Sequence, residues 1–115
     1  MQSETIRYLC HAETFGAGAV RRIETHISIV FLAGDHVYKL KKPVDFGFLD
    51  FTTLEKRRYF CQREVVLNRR TSPDVYLGVV SIVPSEDGGY RIGDEDDPAA
   101  VEYAVHMARP PQEEM

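Results

Sequence analysis

The chain has 115 residues, 43% of them hydrophobic and 28% charged, a composition that fits one folded domain with a single core. Asp and Glu number 18 against 14 Lys and Arg, a net charge of −4, which argues against DNA or RNA as a partner because neutralising phosphates takes a basic face. No apolar run approaches the roughly 20 residues of a membrane span, and the first residues lack the basic-then-apolar pattern of a secretory signal, so no membrane contact and a cytoplasmic location are expected.

Residues 1–18 carry little pattern. Residues 3–10 suit a short helix, and Phe15-Gly16-Ala17-Gly18 suits a turn. From Arg21 the signal sharpens. Ile23-Glu24-Thr25 ends a first strand and residues 27–32 make a second, both rich in β-branched or aromatic side chains. Ala33-Gly34-Asp35-His36 reads as a turn, and residues 37–41 alternate as a third strand that Pro43 terminates by removing a backbone donor. An antiparallel meander is therefore expected.

A helix follows. Thr52 and Glu55 have the spacing of a capping box, and the helix is expected to run to about Arg70, with Pro73 beyond it. Arg69 and Arg70 then sit at the negative end of its dipole. Phe60, Cys61, Val65 and Leu67 are expected on one broad apolar face, with Arg57, Glu64 and Asn68 inside it. A carboxylate in that setting is costly unless it meets a cation. Glu64 therefore either bends to solvent or pairs with a lysine of the preceding sheet.

Residues 75–83 read as a fourth strand and residues 85–89 as a turn. Tyr90-Arg91-Ile92 returns briefly as a hairpin arm. Residues 93–98 form an acidic loop without the ligand alternation of a calcium site, so a solvated loop is expected. Residues 101–107 close the pattern as a fifth strand, and residues 110–115 form a tail. Cys10 and Cys61 are too few for a disulfide framework. His11, His26, His36 and His106 are scattered, without the spacing of zinc ligands. The expected fold class is α+β, a five-stranded antiparallel sheet with one main helix, in a single domain with its core over residues 20–109.

The order strand, strand, strand, helix, strand, strand resembles the small lobe of the protein-kinase-like fold. Specific residues extend the resemblance. Val37-Tyr38-Lys39-Leu40-Lys41-Lys42-Pro43, Phe46-Gly47-Phe48-Leu49-Asp50-Phe51, Leu67-Asn68-Arg69-Arg70 and residues 102–107 resemble the aminoglycoside-phosphotransferase-like bacterial family often fused to a C-terminal P-loop ATPase domain. The resemblance implies an ATP-binding small lobe of a small-molecule phosphotransferase, with Lys39 at the α- and β-phosphates and Glu64 as its helix partner. Lys41 shares the strand face with Lys39, since side chains alternate with period two, and competes for that role. By position, residues 25–28 would cover the phosphates. They contain no glycine, so Thr25 and Ser28 would donate through hydroxyls, unless the stretch is only a tight hairpin turn. His106 and Met107, with Ala108, resemble the hinge that binds adenine through backbone groups.

Asp45-Phe46-Gly47 matches the magnesium-binding tripeptide of protein kinases but precedes the helix. It is expected to be a structural turn, with Phe46, Phe48 and Phe51 packing the helix start. The catalytic loop and metal ligands of the family do not appear in the sequence, so no catalytic residue is assigned and magnesium is expected only with a large lobe supplied. A large lobe and a P-loop domain in a longer protein are the implied partners, the phosphoryl acceptor being open. A lone small lobe exposes the surface that meets the large lobe, which favours a homodimer. The alternative reading is a non-catalytic α+β module for interaction or self-association.

Overall fold

Three short runs rich in β-branched and aromatic residues fold back on one another at the start of the sheet. They are β1 (Val20–Glu24), β2 (Ser28–Ala33) and β3 (His36–Lys41), paired antiparallel in sequence order. Gly34 takes the positive φ, 62°, of the second turn, a conformation open to glycine without steric cost. The computed structural model describes residues 20–45, 47, 50–86 and 88–109. The expected short helix at 3–10, the turn at 15–18, Phe46, Phe48 and the tail at 110–115 lie outside them.

After the meander come helix α1 (Leu54–Asn68) and strands β4 (Tyr76–Pro84), β5 (Tyr90–Asp94) and β6 (Glu102–Ala108). The class is α+β, and the sheet has six strands in the order β1-β2-β3-β6-β4-β5, all antiparallel. The expected count of five is corrected by β5. Tyr90–Asp94 pairs residue for residue with Val80–Pro84, so the brief hairpin arm is a full strand that takes Gly93 and Asp94 from the acidic loop. β6 inserts between β3 and β4. Ala104 and Val105 on it are fully buried.

One sheet face buries Ile29, Phe31, Ala33, Tyr38, Leu40, Ile82 and Ala104. On the other, α1 lays Cys61 and Val65 over Tyr103 and Val105. Arg57, Cys61 and Val65 are the buried helix residues, four apart and so on one ridge. Leu67 departs from expectation and is exposed. It lies about 200° around the helix from Val65 at 3.6 residues per turn.

Both helix ends differ from the sequence reading. Thr53, not Thr52, is the N-cap, its Oγ1 accepting from the Lys56 N–H at 3.1 Å. Thr52 is drawn off by Asp50, whose carboxylate accepts from the Thr52 hydroxyl at 2.6 Å and N–H at 2.9 Å. The helix stops at Asn68, and Arg69 reaches across to the Tyr76 and Leu77 carbonyls. There β4 slips register against β6 between Tyr76 and Gly78. Arg69 thus holds a bulge. The acidic loop is largely exposed, as expected, and is tethered to the helix: Glu95 accepts from Arg58 Nε at 3.1 Å, and Asp96 from Arg58 Nη2 at 2.7 Å.

Candidate functional site

Strand alternation sends Val37, Lys39 and Lys41 to the helix side of β3, while Tyr38 and Leu40 enter the opposite core. Glu64 comes down from α1 on nearly the same line as Arg57, seven residues and almost two full turns earlier. The result is a three-residue cluster. Lys39 Nζ meets Glu64 Oε2 at 3.1 Å, and Lys41 Nζ meets Oε1. Sequence reasoning treated the two lysines as rivals, but the carboxylate has two oxygens and holds both.

Their environments differ. The Lys39 side chain is 28% exposed and that of Lys41 only 7%. Lys41 also lies 5.5 Å from the centre of the Phe51 ring, within cation–π range. Burial acts to raise the Glu64 carboxyl, but the Lys41 and Lys39 ammonium groups overcome it and hold the carboxyl below its usual pKa. Cys61 nearby is driven the other way: burial pushes its thiol up to about 12. It is a neutral packing residue.

Lys39 stands where two grooves meet. A larger one, about 890 Å³, has a mostly apolar lining that includes Ile23, Val30, Val37 and Met107, with Thr25 to Ser28 along one side. The second, about 570 Å³, contains Lys41, Glu64, Arg63, Phe51 and Phe60. Lys39, Ile27 and Tyr76 line both.

The 25–28 segment is a hydroxyl-closed turn. Thr25 Oγ1 accepts from the Ser28 N–H at 3.0 Å and lies 3.1 Å from Ser28 Oγ, while the Thr25 N–H donates to the Ser28 carbonyl at 2.8 Å. The two hydroxyls expected to reach phosphate are engaged in holding the turn, and Ser28 is buried. His26 lies exposed in this turn.

His106 and Met107 point to opposite faces. Met107 enters the larger groove. The His106 ring stacks on Tyr38, with centroids 4.7 Å apart, and its Nε2 lies 2.9 Å from His36 Nδ1. Both residues pair with β3 and β4 at once, and the next two N–H groups, of Ala108 and Arg109, donate to Val75 and Asp35 carbonyls at 2.8 Å. The segment expected to read adenine through its backbone is therefore an interior sheet segment.

Asp45 accepts from the Gly47 N–H at 2.7 Å, and Gly47 has a φ of 85°. Phe51 is buried and edge-on to Phe60 at 5.1 Å. Among the described residues no group of three or more His, Cys, Asp or Glu is placed to hold a metal ion, and no helix is long and apolar enough to cross a membrane.

The chain is similar to uncharacterized proteins of Mycobacterium tuberculosis and Mycobacterium bovis, 45% identical over 65 residues. The match covers 56% of this chain and only 13% of each relative. No family model matches the chain, and no solved structure does.

Proposed function

We propose that this chain is the ATP-binding small lobe of a kinase-like small-molecule phosphotransferase. One observation carries the reading: the Glu64 carboxylate on α1 meets the partly exposed Lys39 ammonium on the third strand, where an apolar groove turns polar. That is the ion pair kinase-type enzymes use to bring an ammonium to the α- and β-phosphates. The larger groove falls within the size range of small-molecule sites, and its lining is of the mixed kind they use. Ile23, Val30, Val37 and Met107 would take the base, and Lys39 the phosphates. His106 contributes by bracing the sheet through Tyr38. The base, magnesium ligands and acceptor site of phosphoryl transfer would come from a large lobe, consistent with relatives several times longer than the matched stretch.

The test is an NMR titration with ATP. Half a cleft is expected to bind at around the millimolar level, worth roughly 4 kcal/mol, with shifts near Ile23, Lys39 and Glu64 that weaken with added salt. Lys39→Met should abolish them while the fold persists. Shifts scattered over exposed arginines such as Arg69 and Arg70, and indifferent to Lys39, would instead favour the non-catalytic module.

A further inference from the structure

We infer that Lys41 is a positioning residue that neutralises Glu64, so that Lys39 keeps its positive charge available to a polyphosphate. The inference rests on the nucleotide-binding reading and adds to it a division of labour between the two lysines.

A lone lysine paired with a lone carboxylate makes a neutral unit. An incoming phosphate must then compete with the carboxylate for the ammonium, and is itself repelled by that carboxylate. Here the carboxylate has a second cation, on its other oxygen. The cluster carries one net positive charge, and Arg63 adds another on the rim of the same groove. Cys61, packed beside it, stays protonated and adds none.

Geometry decides which lysine is the spare. Lys41 is closed in, with its ammonium set between Glu64 and the Phe51 ring. Of the two lysines it is Lys39 that lines both grooves, and it has four times the side-chain exposure of Lys41. Val30 and Val105 sit opposite it on the two flanking strands, so its neighbours across the sheet are uncharged. Further charged groups lie around it: Arg63 of α1 lines the polar groove, and Arg21 of β1 and Arg109 line the larger groove with Lys39.

The charge arithmetic gives a test that packing alone cannot mimic. Lys41→Met leaves Lys39 and Glu64 as a neutral pair, and ATP should bind about tenfold more weakly or worse. Adding Glu64→Gln to that variant restores the single positive charge and keeps an amide oxygen to accept from Lys39, and should recover part of the lost affinity. Lys41→Gln, which keeps a donor for Glu64 without the charge, serves if the Met variant folds poorly, and should behave as Lys41→Met does. Unchanged binding in the Lys41 variants, or no rescue by Glu64→Gln, overturns the inference while leaving nucleotide binding intact. If the parent protein shows no local ATP shifts, the nucleotide reading fails, and carboxyl NMR of Glu64 still decides the role of Lys41. Lys41→Met should raise the Glu64 titration midpoint more than Lys39→Met does. An equal or larger rise with Lys39→Met sinks the assignment.

Discussion

Arg57 and Glu102 form a second ion pair between the helix and the sheet, Nε to Oε1 at 3.0 Å, with the Glu102 side chain fully buried. Arg57 also donates from Nη1 to the Phe51 carbonyl at 2.9 Å, tying the chain just before α1 to the start of β6. Burial pushes the Glu102 carboxyl up, and Arg57 opposes it. Arg57→Met strands a carboxylate in the core, and losing one partner of a buried pair typically costs about 3–5 kcal/mol. Urea denaturation should show this loss, and a change under 1 kcal/mol, on the order of an exposed pair, would show that the pair is not load-sharing.

Cys61 offers a cleaner readout of the same helix–sheet contact. Its thiol is fully buried and pushed up to about 12, and thiolate is the reactive form. A thiol reagent at neutral pH should leave Cys61 unmodified in the folded protein and label it promptly in denaturant. Mass spectrometry of the labelled peptide separates it from Cys10. Fast labelling under native conditions would mean that α1 lifts from the sheet.

The core strands and the helix were legible because each follows one period: two in β3, where Lys39 and Lys41 share a face, and 3.6 in α1, where Glu64 falls within the buried stripe. The resemblance to a kinase-like lobe paired Lys39 with Glu64 and left Lys41 as a rival. The second ammonium was readable in principle, since a carboxylate accepts from two donors. What was not legible depended on partners distant in sequence. Arg58 finds Glu95 and Asp96 across 37 and 38 residues, so the tether of the exposed acidic loop to the helix had no local signal. β5 was undervalued because three residues, Tyr90-Arg91-Ile92, make a weak strand alone, and only pairing with β4 extends it to Asp94. His106 and Met107 read as a strand end, yet the β3 and β4 partners hold the strand through Ala108.

The N-cap assignment separates two adjacent threonines. Thr53→Ala removes the acceptor for the Lys56 N–H and should cost about 1 kcal/mol. Thr52→Ala removes an exposed hydroxyl bonded to Asp50 and should stay within about 0.5 kcal/mol of the parent. Thermal melts of the two variants suffice. A larger loss at Thr52 would return the cap to the capping box that the sequence suggests.

The last prediction concerns acid. Burial first, and then the nearby His36, hold the His106 imidazole below its usual pKa. The unfolded chain, with an ordinary imidazole, therefore binds the proton at a higher pH than the folded one does. Stability rises with pH wherever the unfolded state holds more protons, so this contribution is complete above the ordinary imidazole range. It is lost as pH falls below the unfolded value towards the lower folded one. The structural cause is the ring's position: stacked on buried Tyr38 and 2.9 Å from the His36 nitrogen, it faces an aromatic ring and a second imidazole. Urea midpoints measured from about pH 5 to 7, the interval in which histidine titrates, should fall on the acid side. His106→Gln should flatten that slope, even if it lowers stability throughout by disturbing the stack. An unchanged slope in His106→Gln would move the acid sensitivity to another group.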